Sequence, residues 1–328
     1  MPDILGLPWL DALSAAALAL SLLVYVLLDG TDLGTGILCA FQRSPESRHV
    51  INLSLLPVWD GNETWLVLTA GGLLGLFPLA YGIILSALYI PVFMMLLALV
   101  MRGMAIEYRH YAPQLFDLML VAGSLLAALA QGIIVGALLQ GIATDGRQFT
   151  GSGFEWLRPF PLYCGLALVC GYSLMGIGWI IWRCSGELET WGRRVMPWLA
   201  IVTGILLAGL LAWTTQLYET WRQHLFNIWL WGPLLLVGVL AVALFGVGLI
   251  LRRPFLPLAG VLVMVSCAFC ALVFTLFPWI VPPVLSITQT AAPPATQRFL
   301  LLTFALLVPV TLFYNSWVFR IFSGKIAG

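Results

Sequence analysis

Leu66-Val-Leu-Thr-Ala-Gly-Gly-Leu-Leu-Gly-Leu-Phe-Pro78-Leu-Ala-Tyr-Gly-Ile-Ile-Leu-Ser-Ala-Leu-Tyr-Ile-Pro91-Val-Phe-Met-Met-Leu-Leu-Ala-Leu-Val-Met101 contains no charged side chain. A lipid bilayer is crossed by a helix of about 20 apolar residues. This run is too long for one crossing and too apolar for a water-facing surface. Phe77-Pro78 gives it a place to turn, because proline cannot continue the hydrogen bonding of a helix interior. The stretch reads as two membrane helices back to back.

The rest of the chain agrees. Of 328 residues, 61% are hydrophobic and 9% charged, against about 45–50% and about 25% in soluble domains. In hydrocarbon only helices or closed barrels satisfy the backbone. The long uninterrupted runs fit helices and lack the alternation of a barrel strand. The spans fall near residues 8–30, 52–77, 80–102, 115–140, 160–183, 197–217, 228–251, 257–278 and 298–321. The expectation is an all-α polytopic membrane protein, a single membrane domain over residues 1–328, with nine transmembrane helices in two bundles. The first run lacks a basic leading segment and a small-residue cleavage site, so it reads as a retained span.

Orientation follows from Lys and Arg in short loops. Alternating the loops puts eleven of the fifteen Lys and Arg on one side, including Arg43, Arg48, Arg109, Arg193, Arg253 and Lys325. Only Arg147, Arg158, Arg222 and Arg298 fall on the other. The first side is expected to be cytoplasmic, with the N-terminus outside and the C-terminus inside. A net charge of +1 offers no basic field for nucleic acid.

Acids beside apolar spans are costly, and two short motifs hold four of the fourteen. Asp29-Gly-Thr-Asp32-Leu-Gly34 lies at the expected inner end of the first span. Trp59-Asp60-Gly-Asn62-Glu63-Thr-Trp65 lies early in the second. Each pair of acids is three residues apart, so on a helix each shares a face. A short loop joins the motifs, so they can meet in space. Asp60 and Glu63, with Asn62 beside them, read as a turn or more inside a long apolar helix. A buried acid cluster reached from the cytoplasm suits a proton or cation path. The bland alternatives are interfacial acids, a tight glycine turn at Asp29, and an ion pair with Arg102. Asp117, at a helix start, is explained by the helix dipole. Glu107 flanks the same loop.

Other chemistry is thinly represented. His49, His110 and His224 all fall in loops or at span ends, so no facing histidine pair is available for haem iron. No zinc spacing or phosphate-cradling glycine loop occurs. Cys267 and Cys270 have redox-motif spacing but lie in an apolar run, where cysteine is ordinarily a packing residue. The pair Gly132 and Gly136 marks a close helix contact.

Whole segments resemble a known family. Asp29-Gly-Thr-Asp-Leu-Gly-Thr-Gly36 is similar to the first-helix motif of subunit II of the bacterial cytochrome bd-type quinol oxidases, with Thr31 where the family often has Phe. Trp59-Asp-Gly-Asn-Glu-Thr-Trp-Leu-Val-Leu68, Gly71-Gly72 and Phe77-Pro-Leu-Ala-Tyr81 resemble its second-helix signature. Arg102-Gly-Met-Ala-Ile-Glu107-Tyr-Arg109, Phe277-Pro-Trp-Ile-Val-Pro-Pro283 and Ala291-Ala-Pro293 extend the likeness over nearly the whole chain. It looks nearest to the compact, cyanide-insensitive branch.

The resemblance implies a subunit of a quinol:oxygen oxidoreductase in the bacterial inner membrane. By that likeness this chain binds no haem alone, and haems b and d sit in subunit I. It also leaves room for a structural quinone or lipid, and for a small single-helix accessory subunit. Asp60 matches the subunit II aspartate implicated in proton delivery, with Asp29, Asp32 and Glu63 second in rank and Asn62, Arg102 and Glu107 as supporting polar residues. Two other readings stay open: a secondary transporter using the same acids, and a purely scaffolding subunit. Transporters favour helices broken at mid-membrane, for which Pro91 is the one clear candidate.

Overall fold

The computed structural model describes residues 3–4, 6–322 and 324–326. The chain is built almost wholly of helices: α1 (Trp9–Leu38), α2 (Pro45–Leu55), α3 (Trp59–Leu76), α4 (Pro78–Tyr108), α5 (Pro113–Gln140), α6 (Pro159–Arg183), α7 (Glu187–Leu217), α8 (Glu219–Leu225), α9 (Ile228–Ile250), α10 (Leu256–Leu276), α11 (Ile287–Thr290) and α12 (Pro294–Ile321). Two short antiparallel pairings, Asp3–Ile4 with Leu7–Pro8 and Trp279–Val281 with Leu285–Ser286, lie in the terminal and loop segments.

Among the described residues, eight helices are long and apolar enough to cross a membrane: α1, α4, α5, α6, α7, α9, α10 and α12. The expected second span is different in kind. Its first part, residues 52–55, belongs to α2, an 11-residue helix capped by Ser44, whose side chain accepts from the Ser47 amide. The chain breaks at Leu56-Pro57-Val58 and restarts as the 18-residue α3. Pro57 explains the break, since within a helix it would lose a hydrogen bond and strike the preceding turn. Asp60 is therefore the second residue of α3, in its first turn, and not deep inside a long helix.

The first span is wrong in the opposite sense. It was expected to end at residue 30, but α1 continues to Leu38. Asp29 and Asp32 lie in the helix interior, with no tight turn at Asp29. Gly30 and Gly34 would weaken an isolated helix, but here they allow close packing. A Cβ built on Gly34 would lie 1.7 Å from the Tyr172 carbonyl oxygen, and one on Gly176 would lie 2.2 Å from the Thr35 amide. The backbones of α1 and α6 touch at this crossing, as small residues permit in lipid. Gly132 and Gly136 do the same for α5 against α6, meeting Cys164, Gly165 and Pro161.

α6 packs against α1, α5, α7 and α10. α4 is kinked at Leu88, whose φ of −118° and ψ of 21° are not helical. The cause is Pro91, in the next turn. Cys267 and Cys270 are free thiols on α10, partly covered.

Loop contacts sort the helix ends into two groups. At one end Arg193 reaches both Glu189 and the Arg252 carbonyl, and Lys325 also pairs with Glu189. There the Trp179 indole donates to Ser54 Oγ. At the opposite end the Ala292 amide donates to the Leu76 carbonyl at 2.8 Å, and the Tyr218 hydroxyl to the Gln140 carbonyl at 2.9 Å.

Candidate functional site

The two acidic motifs meet beside the bundle core. Arg102, on α4, is wholly buried. Its Nη1 donates to Asp29 Oδ1 at 2.6 Å, and its Nη2 donates to the Glu63 carboxylate. Asp29 is also wholly buried, whereas the Glu63 side chain is 26% exposed. One turn along α1, Asp32 accepts from Asn62 Nδ2 at 2.7 Å. Three helices thus contribute to one cluster: α1 the two aspartates, α3 the amide and the glutamate, α4 the guanidinium.

Local packing holds each member in place. Gly123 of α5 lets α4 approach, since a Cβ there would sit 2.7 Å from the Ala98 carbonyl and 3.0 Å from the Arg102 amide. Gly103, next to Arg102, receives the Trp59 ring from the start of α3. Asn315, on α12, is buried against Gly61, its Oδ1 lying 3.2 Å from where a Cβ on Gly61 would be. Asp29 Oδ2 and Arg102 Nε have no hydrogen-bond partner among the described residues. Two carboxyl groups, Asp29 and Glu63, pair with the one guanidinium, and Asp32 bonds to Asn62 beside them. A buried charge without a partner costs several kcal/mol.

Two of the residues singled out in the sequence lie outside the cluster. Asp60 is exposed on the surface of the chain at the mouth of α3, and Glu107 is exposed on α4 with no ion pair among the described residues. Asp117 is more than a dipole partner. Its carboxylate receives Arg109 Nε at 2.6 Å and Nη2 at 3.1 Å, with Arg48 at 3.9 Å.

The reading from the acids alone missed three buried neighbours. Tyr25 precedes Asp29 by one turn and interacts with it electrostatically. Gln131 Nε2 donates to the Tyr25 hydroxyl at 2.7 Å, and the Tyr172 hydroxyl donates to Gln131 Oε1 at 2.8 Å. The available signal was a lone amide, Gln131, inside an apolar run.

The three histidines make local contacts: His49 Nδ1 lies 3.2 Å from Arg109 Nη1, His224 Nδ1 lies 3.1 Å from the Thr275 carbonyl oxygen, and the His110 ring lies tilted against Tyr111.

The family model described as "Cytochrome bd terminal oxidase subunit II" matches residues 10–322. The chain belongs to the cytochrome bd terminal oxidase subunit II family. Within curated relatives of that family, it is 31% identical over 201 residues to "Probable cytochrome oxidase subunit 2" of Haemophilus influenzae, covering 57% of this chain and 53% of that one. It is 29% identical over 198 residues to "Cytochrome bd-I ubiquinol oxidase subunit 2" of Escherichia coli, covering 57% and 52%. The chain thus spans about half the length of these relatives. The fold is that of a chain in the bd oxidase of Geobacillus thermodenitrificans, with a TM-score of 0.77, 18% identity, and 95% and 98% of the two chains covered.

Proposed function

We propose that this chain, as one membrane domain over residues 1–328, is subunit II of a quinol:oxygen oxidoreductase in the bacterial inner membrane. In this reading it pairs with a haem-bearing subunit I and opens a proton route from the cytoplasm. α3 crosses as a ninth span, with the N-terminus outside and the C-terminus inside. Haem iron in the partner supplies the chemistry of oxygen reduction. The part of this chain is to deliver protons and to complete the assembly.

One observation carries the proton route: exposure falls in order along it. Asp60 is exposed, Glu63 one turn on is 26% exposed, and Asp29 and Asp32 are sealed beneath Arg102 and Asn62. A proton entering at Asp60 can pass to Glu63 and reach the buried pair. Arg102 compensates Asp29 and Glu63. Among the described residues Asp32 has only the neutral Asn62 as its hydrogen-bond partner, so it is the carboxyl with most freedom to take and release a proton.

The transporter reading is weaker. Among the described residues, the one helix with a non-helical residue inside it, α4, is kinked at Leu88, away from Arg102. Acid-to-amide substitutions in the assembled complex separate the scaffold reading, while haem spectra and oxygen uptake separate the transporter. Co-expressed with its partner and purified in mild detergent, the complex should show haem b and d spectra and quinol-dependent oxygen uptake. A pure chain without partner or oxygen uptake would remove the oxidase reading.

A further inference from the structure

The glycine after Asp29 has a purpose beyond helix contact. A Cβ on Gly30 would lie 2.6 Å from Cε1 of the Tyr172 ring. The gap at Gly30 lets Tyr172 reach across from α6, where its hydroxyl meets Gln131 of α5, which in turn meets Tyr25 of α1. The exposures of Tyr25, Gln131 and Tyr172 are 1%, 8% and 1%. Three polar side chains from three helices thus form a sealed chain that ends one turn from Asp29.

The order of donors is informative. The Tyr172 hydroxyl gives its hydrogen to Gln131 Oε1, and Gln131 Nε2 gives one to the Tyr25 oxygen. The Tyr25 hydrogen is left over. A tyrosine hydroxyl has one hydrogen to give, and an ionised carboxylate can only accept. Asp29 Oδ2 is the neighbouring acceptor without a hydrogen-bond partner among the described residues. Its other oxygen is taken by Arg102. Running the chain outward from a carboxylate gives the same order at each link. Tyr25 must donate to Asp29, so Gln131 must donate to Tyr25, so Tyr172 must donate to Gln131.

We propose that Tyr172–Gln131–Tyr25 is a positioning chain that aims the Tyr25 hydroxyl at the free oxygen of Asp29, fixing the Asp29–Arg102 pair and leaving Asp32 as the proton-exchanging carboxyl. This rests on the proton-route reading above and adds residues from α5 and α6 to it. The charged and titratable groups facing Asp29 are Arg102 from α4, Glu63 from α3, Asp32 and Tyr25 from α1, and Tyr172 from α6. Tyr25, Gln131 and Tyr172 act on Asp32 only through Asp29, as positioning residues.

The test is a double-mutant cycle in the purified complex, read by heat stability and by oxygen uptake per haem against pH. Tyr25→Phe keeps the ring and removes the hydroxyl. It should lower the Tm by about 2 °C or more when Asp29 is present and by much less in Asp29→Asn, which is the signature of direct coupling. Gln131→Leu should reduce the same coupling. Additive effects of Tyr25→Phe and Asp29→Asn would overturn the proposal. The stability cycle does not depend on proton transfer. Coupling with unchanged uptake in Asp29→Asn and Asp32→Asn would keep the positioning chain and sink the proton route. Altered uptake in those two, with none in Tyr25→Phe and no coupling, would do the reverse. If Asp29→Asn fails to assemble, the pH profile of Tyr25→Phe decides: a displaced profile supports the chain and an unchanged one overturns it.

Discussion

The acids of α1 and the acids of α3 have the same spacing and opposite fates. Asp29 and Asp32 are sealed in the interior, while Asp60 is open and Glu63 partly so. On sequence alone the order reads differently, with α1's pair at a helix end and α3's pair a turn or more inside a long apolar helix. The difference comes from what surrounds each pair. Gly30 and Gly34 let α6 cover α1, and Pro57 starts α3 just ahead of Asp60. The position of an acid in an apolar run is therefore a poor guide to its depth. Helix breaks and glycine crossings decide it.

The largest effect expected is at Arg102. Arg102→Leu leaves Asp29 and Glu63 without their guanidinium, a loss of about 3–5 kcal/mol for a buried pair. The outcome should be loss of assembled complex, measured as haem recovered with this chain after affinity purification. Normal recovery would mean the cluster is not held by that pair. Second comes Gly34→Ala. Its methyl group would meet the Tyr172 carbonyl at 1.7 Å, so α1 and α6 must part, at about 1–3 kcal/mol or more. Gly71→Ala, on α3, meets nothing within 4 Å and should leave the heat stability unchanged or slightly raised. Equal Tm losses in the two variants would break the comparison between the covered helix and the open one.

Much of the fold was legible before the structure. The long apolar runs predict the eight spans that meet length and composition, because nothing but lipid suits such sequences. The expected second span was harder to read because α2 and α3 together resemble one helix until Pro57 is weighed. The cluster was legible as a set: Asp29, Asp32, Asn62, Glu63 and Arg102 do come together. Its depth was not, since burial depends on which helix face meets a neighbour. Tyr25, Gln131 and Tyr172 escaped because tyrosine and glutamine in a span look like ordinary packing until their partners are known.

Smaller effects should separate the mouth of the route from its interior. Asp60→Asn, at an exposed position, should slow oxygen uptake per haem by a few-fold with assembly intact; full activity at every pH would remove Asp60 from the route. Glu107→Gln, exposed and unpaired among the described residues, should change neither uptake nor stability. A strong loss there would reveal a contact with the partner subunit.

The central claim is that the sealed carboxyl of Asp32 carries protons. Asparagine keeps its size and can still hydrogen-bond to Asn62, but it does not exchange a proton near neutral pH. Asp145→Asn serves as the control: its carboxylate is outside the spans, held below the usual range by the Gln148 and Arg147 amides. The measurement is oxygen uptake per haem across pH for the two variant complexes. The account predicts that Asp32→Asn assembles with full haem and turns over at least ten-fold more slowly, about 1.4 kcal/mol in barrier, while Asp145→Asn matches the unsubstituted complex. Equal turnover in the two variants would contradict it.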